Sequence, residues 1–377
     1  MNVLINFSTL KCGGGQNVAL NFLSVFQHII ENGNKHCFFL VAKDSSIHRW
    51  FKKNGNYKYF VCPRNPIQRL LFEVCVTRSI IKKYQIDIIY SYFGYGLFPR
   101  KIPQISGAAD SNLLYPEIDF WKDYKGVRRW WHLLVDQYRV YGLKHARGII
   151  FENECLEKRF RELYKLNTFT ITIKPSISNI YNQKSFSLPS NIIDLKKGLF
   201  LCGWHLNKNV LLIPEIAYNF KLMNYPFHLL LTAPLDNSKI CRDFIKLVEL
   251  YNVREYISII GSVKKEELAS LYQQVDVVYL LSKLESFSNN IIEAWTYGKP
   301  LIVSDEEWAH SICREGAMYV DRNSAKAIAD ATFELCEDEK SMEKTVSEGL
   351  IQLQTYPSIQ DKTRQEWDFI NKVYENV

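Results

Sequence analysis

Two glutamates, Glu285 and Glu293, lie eight residues apart and have the types and spacing best suited to chemistry in this sequence. Between them, a loop of small and polar residues leads into a helical pattern. The unpaired N–H groups and dipole of a helix N-terminus attract a diphosphate, and flanking carboxylates can accept hydrogen bonds from sugar hydroxyls. This favours a sugar-diphosphate site. The alternative is that Glu285 pairs with Lys283 at the surface and that Glu293 only favours a helix start.

The loop between the two glutamates supplies further candidates for ligand binding. Ser288 or Asn289 is expected to cap the helix, and Gly298 and Pro300 to end it. The candidate binding residues of this loop are Ser286, Phe287, Ser288, Asn289 and Asn290.

The stretch 281–300 resembles the E-x7-E element of retaining GT-B glycosyltransferases of the family 4 type. The two acids, the loop aromatic and the helix end of that element are matched here by Glu285, Glu293, Phe287, Gly298 and Pro300. Serines stand at positions 286 and 288, where glycines are commoner in the family. The resemblance implies that Glu285 acts in catalysis by orienting the donor sugar and that Glu293 binds the ribose.

Two more segments extend the resemblance. The segment 202–209 is similar to the family's glycine-plus-lysine element, which implies that Lys208 meets the donor diphosphate and stabilises its growing charge. The alternative for Lys208 is a solvated surface lysine. The family often has an arginine where this chain has Trp204, and His205 is the candidate substitute. In the stretch 259–276, Gly261 corresponds to a glycine loop beside the nucleotide base.

The N-terminal half offers weaker candidates. Gly14 and Gly15 belong to a predicted glycine loop, 12–15, that is either a tight turn or a site. The resemblance favours a site, since in the family this loop faces donor and acceptor. Asp110 closes another predicted strand and is a third candidate catalytic residue, which would hold the acceptor or donor sugar. Many relatives carry a histidine where this chain has Ala109.

The secondary structure that positions these residues follows from the sequence pattern. Short apolar runs alternate with segments of helical periodicity, which indicates parallel sheets. The predicted fold class is α/β, with two Rossmann-like doubly wound parallel-sheet domains facing a cleft (GT-B). The predicted parts are an acceptor-side domain at 1–178, a linker at 179–195, a donor-binding domain at 196–358, and a helix at 359–377 that packs back on the first domain. Parallel sheets bind ligands beyond the carboxyl ends of their strands, where the candidates lie.

The individual elements follow from the same patterns. The predicted strands are 3–7, 37–41, 59–62, 86–90, 104–107, 148–151, 198–203, 227–232, 256–260, 275–281 and 301–304. The predicted helices near the candidates are 17–30, 210–222, 266–274 and 290–297.

The composition indicates a globular protein. Of 377 residues, 47% are hydrophobic and 23% charged, enough for two cores. The sequence shows neither a signal peptide nor a membrane span, and nine scattered cysteines without a CxxC pair indicate reduced thiols. We therefore expect a cytoplasmic protein, with action at the inner face of the membrane as an open alternative. No Asp-x-Asp occurs, so no metal is expected.

The segment 121–147 combines seven lysines and arginines with only two aspartates. Aromatic residues interleave with these charges, and the pattern predicts an amphipathic helix from about 126 to 144. Its aromatic face either packs on the core, with the basic side in water, or docks on an anionic membrane that holds a lipid-linked acceptor. No nucleic-acid-binding module is present.

The family resemblance implies a retaining, hexosyltransferase-type enzyme, and the lack of an Asp-x-Asp motif predicts that it is metal-independent. It would move a sugar from a nucleoside-diphosphate sugar, as co-substrate, to a glycan or lipid-linked glycan acceptor in surface polysaccharide biosynthesis, and it would need no cofactor. Two alternatives remain open: a nucleotide-sugar epimerase or phosphorylase on the same scaffold, and a catalytically silent relative that binds a partner protein.

Overall fold

The computed structural model describes residues 1–11, 13–30, 36–97, 101–177 and 184–376. They divide into two compact units, one formed by Met1–Ser178 with Pro357–Val377 and the other by Asn179–Tyr356. We call them unit 1 and unit 2. Among the residues that the model describes, no helix is both long enough and apolar enough to cross a membrane.

Unit 1 is built on a seven-stranded sheet in the order β3-β2-β1-β4-β5-β6-β7, with all neighbours parallel. Its strands are β1 Asn2–Phe7, β2 His36–Ala42, β3 Lys58–Cys62, β4 Ile88–Ser91, β5 Gln104–Ala108, β6 Gly148–Phe151 and β7 Phe169–Thr172. Its first helices are α1 Gly14–Ile30, α2 Ser46–Lys53, α3 Pro66–Leu71, α4 Thr77–Lys83, α5 Val127–Lys144 and α6 Glu154–Tyr164. A π-helical turn, Phe72–Val76, joins α3 to α4.

The central strands of unit 1 form because they are apolar on both faces. In β1, Val3, Leu4 and Ile5 have no exposed surface, as expected for a parallel strand covered by helices on both sides. The edge strand β7 was not predicted, because its four residues are too few to show a clear pattern, and all four are only half-buried.

The start of α1 corrects the prediction of a glycine loop at 12–15. Gly14 and Gly15 lie in the first helical turn, so the helix begins three residues before position 17. Cys12 lies outside the described residues. Glycine is tolerated there because the first turn contributes few intrahelical bonds from its N–H groups.

Unit 2 contains a six-stranded parallel sheet in the order β10-β9-β8-β11-β12-β13. Its strands are β8 Lys196–Phe200, β9 Phe227–Leu231, β10 Ile257–Ile259, β11 Val277–Leu280, β12 Leu301–Ser304 and β13 Met318–Val320. Its helices are α7 Ile213–Leu222, α8 Lys239–Leu250, α9 Leu268–Gln273, α10 Asn289–Thr296, α11 Glu307–Cys313, α12 Ala325–Glu337 and α13 Glu339–Leu353.

Two predicted helices of unit 2 begin as 3₁₀ turns. The helix predicted at 210–222 splits into the turn Val210–Leu212 and α7, after Asn209 in a left-handed conformation. The helix predicted at 266–274 splits in the same way into Lys265–Glu267 and α9. The three-residue strand β13 escaped prediction because it is too short to show a pattern.

Within the predicted linker 179–195, positions 179–183 lie outside the described residues. The remainder is tied to unit 2, where the Phe186 N–H donates to the Ser270 hydroxyl at 3.0 Å. Ile192 is buried, and the ammonium group of Lys197 donates to its carbonyl at 3.2 Å.

After unit 2, the chain returns to unit 1 as helix α14, Ile359–Glu375. Trp367, Ile370 and Val373 are buried in the core of unit 1. The indole of Trp367 meets the ring of Phe26 edge-on, with 5.4 Å between centroids.

Helix α5 does not turn its aromatic face to the core. Trp130 and Trp131 are 70% and 57% exposed, and only Gly142 and Leu143 of the helix are buried. The core-packing interpretation of this face is therefore wrong. The helix is held at its C-terminal end, where a Cβ on Gly142 would lie 2.2 Å from the Tyr95 carbonyl oxygen.

Candidate functional site

The loops that follow β8 and β11 are joined by Asn207. The side chain of Asn207 accepts from the Leu284 N–H at 3.1 Å and donates to the Leu284 carbonyl at 2.8 Å. The Asn207 carbonyl accepts from the Lys283 N–H at 2.9 Å. Three hydrogen bonds thus fix the two loops to each other at the carboxyl edge of the sheet. Sequence analysis missed Asn207, although it lies within the quoted segment 202–209.

This junction brings together two of the predicted catalytic residues. The ammonium nitrogen of Lys208 lies 2.6 Å from Glu285 Oε1, and the side chains are only 23% and 13% exposed. At this burial the attraction is screened less than between surface charges. The structure thus pairs Glu285 with Lys208 rather than with Lys283. An ammonium group has three donors, so Lys208 can bind an anion while it holds Glu285.

Helix α10 begins beside this pair. Ser288 occupies the predicted N-cap position with extended backbone, but its hydroxyl makes no capping bond within the described part of the chain. The Asn290 amide donates to the Leu201 carbonyl at 2.9 Å, which ties the helix start to the end of β8. The Ile291 N–H donates to the Ser288 carbonyl at 3.1 Å. The dipole of the helix favours an anion at this N-terminus.

The rest of the loop packs into unit 2. Ser286 and Ser288 are buried, and the Phe287 ring lies 5.7 Å from that of Tyr356. Asn289 is the first residue of α10. These contacts fix the backbone of the loop, in which serines stand where glycines are commoner in the resembling family.

Glu293 lies on α10 with its carboxyl group largely buried. The Tyr272 hydroxyl donates to Glu293 Oε2 at 3.0 Å, and the Tyr272 ring stacks on Tyr297 at 5.0 Å. Burial raises the pKa of Glu293 to about 7, against the opposing effects of the Tyr272 hydrogen bond and the charge of Lys265. Near neutral pH this carboxyl group therefore exchanges readily between its two protonation states. Tyr272 was not predicted as a site residue, because its contact depends on the packing of α9 against α10.

His205 and Trp204 show how this chain differs from the resembling family. His205 Nδ1 accepts from the Asn207 N–H at 3.1 Å, so a neutral ring carries its proton on Nε2. Loss of hydration and the charge of Lys208 lower the pKa of His205, which makes it a neutral donor rather than a cation. The Trp204 indole N–H donates to the Pro234 carbonyl, and its ring packs on Phe244.

Gly261 follows β10 and has a φ of +76°. A Cβ at this position would meet no atom within 4 Å, so the backbone conformation, not space, favours glycine here.

The remaining candidates lie in unit 1. Asp110 Oδ2 accepts from the Tyr95 hydroxyl at 2.6 Å and lies 3.6 Å from Arg139 Nε. Gly14 and Gly15 also belong to unit 1, in α1. The structure thus places the candidates other than Gly14, Gly15 and Asp110 in unit 2. Asp110 belongs to a polar network of unit 1, and its partners in that network, Tyr95 and Arg139, were not predicted.

The part of the chain around α10 is similar to a known protein family. Residues 242–350 match the family model of glycosyl transferases group 1. The matched stretch contains Gly261, Glu285 and Glu293, whereas Lys208 and His205 precede it. No curated protein sequence matches the chain.

Solved structures resemble the whole chain. The sucrose-phosphate synthase of Thermosynechococcus elongatus is 16% identical with a TM-score of 0.75, and each chain is fully covered. Anabaena HepE in complex with UDP-glucose is 13% identical with a TM-score of 0.71, over 99% of this chain and 100% of HepE. WaaG, a glycosyltransferase involved in lipopolysaccharide biosynthesis, is 15% identical with a TM-score of 0.66, over 98% and 99%. These likenesses confirm the predicted two-domain GT-B fold, and with the family match they support a GT-B glycosyltransferase.

Proposed function

We propose that this chain is a retaining glycosyltransferase that moves a hexose from a nucleoside-diphosphate sugar, first of all a UDP-sugar, to a glycan or lipid-linked glycan. The observation that carries the proposal is the Lys208–Glu285 pair, whose glutamate lies in the loop that leads into the N-terminus of α10. The UDP-glucose held by HepE supports the donor class. The part that WaaG takes in lipopolysaccharide biosynthesis supports surface polysaccharide assembly as the setting.

The proposed chemistry begins with departure of the diphosphate. Cleavage of the bond between the sugar C1 and the phosphate oxygen leaves negative charge on the diphosphate. Lys208 and the N–H groups of α10 stabilise that charge. Glu285 holds Lys208 in place and accepts a hydrogen bond from a donor-sugar hydroxyl, while Glu293 accepts from the ribose.

The acceptor hydroxyl then bonds to C1 on the face that the diphosphate leaves, so the anomeric configuration is retained. Its proton passes to the departing phosphate oxygen. Asp110 is proposed to hold a sugar hydroxyl from unit 1. Across the described residues, no three His, Cys, Asp or Glu side chains are grouped so that they could hold a metal ion. Metal independence stays a prediction.

The test begins with donor binding. Thermal shift is measured with UDP-, GDP- and ADP-glucose, with and without Mg²⁺, on the wild type and on Lys208→Ala and Glu293→Gln. A ligand that binds the folded state raises the melting temperature by mass action. We expect stabilisation by UDP-glucose without Mg²⁺ and its loss in both variants.

Matched controls lie in the same unit at exposed positions, Lys326→Ala and Glu334→Gln, and should bind as the wild type does. Absence of any shift with all three sugar nucleotides would contradict the proposal and favour a silent relative. Donor turnover that needs no acceptor would favour an epimerase or phosphorylase. The anomeric configuration of the product, measured by NMR, tests retention.

A further inference from the structure

Unit 1 exposes large apolar side chains on two helices. On α3, Ile67, Leu70 and Leu71 are 57–72% exposed. On α5, the exposed apolar residues are Val127, Trp130, Trp131 and Leu134. We call these seven side chains the α3–α5 surface. Single exposed apolar residues are ordinary, but a contiguous group that includes tryptophans indicates an interaction surface.

The two helices flank one cleft, so their exposed residues belong to a single surface. The cleft has a volume of about 620 Å³, and it is lined by Leu70 from α3 and by Trp131 and Leu134 from α5. At its buried side, the Tyr138 hydroxyl of α5 donates to Glu73 Oε2 at 3.4 Å. Both helices therefore contribute apolar side chains to the wall of the cleft.

The two segments that contain this surface have an excess of positive charge. Segment 121–147 contains seven lysines and arginines and two aspartates, and segment 66–83 contains four lysines and arginines and one glutamate. The glutamate, Glu73, is paired with Arg69 at 2.9 Å, and Asp136 is paired with Arg139 at 3.1 Å. Arg128 lies beside the apolar residues, because with Val127 and Trp131 it lines a neighbouring hollow of about 440 Å³. The segments thus carry a net excess of cations.

We propose that the α3–α5 surface docks unit 1 on an anionic phospholipid bilayer. Tryptophan and leucine side chains enter the boundary between head groups and acyl chains, and flanking lysines and arginines pair with lipid phosphates. A second copy of this chain fits less well, because it would bring two basic surfaces together. The proposal goes beyond the proposed function, and its test does not involve the donor site.

The experiment is co-sedimentation of the full chain with vesicles of phosphatidylcholine alone and of an equimolar mixture of phosphatidylcholine and phosphatidylglycerol. We expect strong binding to the mixed vesicles, weak binding to phosphatidylcholine alone, and weakening as salt is raised. Quenching of tryptophan emission by brominated phosphatidylcholine in the mixed vesicles reports insertion of the indoles.

Three variants separate the apolar and the charged contributions. The pair Trp130→Ser and Trp131→Ser should lower partition into mixed vesicles about tenfold or more, because two large exposed side chains no longer enter the lipid. The pair Leu70→Ser and Leu71→Ser tests whether α3 takes part. The pair Lys125→Glu and Arg128→Glu should abolish the preference for phosphatidylglycerol.

The matched control is the pair Leu235→Ser and Leu250→Ser, which removes apolar residues of unit 2 that are 68% and 75% exposed. This control should bind vesicles as the wild type does, and all variants should keep the circular dichroism spectrum of the wild type. Equal sedimentation of the wild type and the tryptophan variant would overturn docking. So would a wild-type dimer without vesicle binding that the tryptophan variant converts to a monomer, since the surface would then join two copies.

Discussion

The ammonium group of Lys208 and the carboxylate of Glu285 are 2.6 Å apart, although the residues are separated by 77 positions in the chain. Both were predicted as site residues, but their contact was not, because it depends on the loops that Asn207 joins. In the proposed function, the pairing gives Glu285 a second role that the sequence did not indicate, which is to hold Lys208 in place.

This role predicts coupled losses of donor affinity. Lys208→Ala should weaken UDP-glucose binding about 10- to 100-fold, because a charge-assisted contact to the diphosphate is lost. Glu285→Gln should weaken it roughly threefold to tenfold. The double variant should lose more affinity than Lys208→Ala but less than the sum of the two single losses, since Glu285 acts partly through Lys208 and partly through its own contact with the donor sugar. Isothermal titration calorimetry measures all three, and additive losses would show that Glu285 does not act through Lys208.

Glu293 predicts a pH dependence of stability. Its pKa is about 7 in the folded chain and ordinarily 4.5. Between these values the folded state binds the proton more tightly than the unfolded state does. The free energy of unfolding should therefore fall as pH rises through this window, in total by an amount on the order of 3 kcal/mol.

Urea unfolding at about pH 4.5 and about pH 8 measures this fall. Glu293→Gln should reduce it, because the amide cannot ionise, whereas the exposed control Glu334→Gln should leave it unchanged. An equal fall in both variants would assign the pH dependence to other groups.

At the scale of elements, α10 is the helix whose position matters most, and α13 fixes it. The Trp295 indole N–H donates to the Gly316 carbonyl at 2.8 Å. Gly349 of α13 lies so close to this indole that a Cβ would stand 2.4 Å from Trp295 Cδ1. Glycine is therefore required by the close approach of the two helices.

Gly349→Ala should lower the free energy of unfolding by about 1–3 kcal/mol through overpacking, although alanine ordinarily favours a helix over glycine. It should also weaken UDP-glucose binding, because the N-terminus of α10 shifts. Gly55→Ala is the matched control, since a Cβ there meets no atom within 4 Å. Urea unfolding and calorimetry measure both effects, and a stabilised Gly349→Ala chain would contradict this packing argument.

Helices and strands were predictable from the sequence where the local pattern of apolar and polar residues is clear. Buried strands such as β1 and β11 are mostly apolar, and α10 follows from its flanking loop and its Gly-Lys-Pro end. The strand β7 was missed because four residues are too few for a clear pattern. The amphipathic pattern of α5 does not say whether its aromatic face meets the core. Ser288 was correctly predicted as an N-cap position of α10, but its hydroxyl makes no capping hydrogen bond among the described residues.

At the scale of the whole molecule, unit 1 is completed by a helix that follows unit 2. Trp367 of α14 is 5% exposed and packs on Phe26. A Cβ on Gly148 of β6 would come within 2.9 Å of Val373 Cγ2. The stability of unit 1 therefore depends on α14.

Trp367→Ala should destabilise unit 1 by about 3–5 kcal/mol, because it leaves a cavity between α14 and α1. Tyr374→Ala, on the same helix but 39% exposed, should cost less than about 1 kcal/mol. Hydrogen exchange of the β1 and β4 amides measures the loss. Exchange that is equally slow in both variants would show that α14 does not complete the core.

The two-sheet GT-B architecture was predictable because a family resemblance and an alternating pattern agreed over most of the chain. Candidate site residues were predicted mainly in unit 2, where strand, loop and helix follow one another without a break. Four other residues were not predicted, because their hydrogen bonds join segments that are distant in sequence. They are Asn207, Tyr272, Tyr95 and Arg139.

The return of α14 to unit 1 has a consequence for synthesis on the ribosome. Domains generally fold in the order in which they are translated, but here unit 1 lacks α14 for the whole time in which unit 2 is translated. The apolar surface that Trp367 and Val373 will cover stays open to chaperones during that interval. A message cut short before α14 would therefore yield a complete unit 2 attached to an unfinished unit 1, a product suited to proteolytic removal.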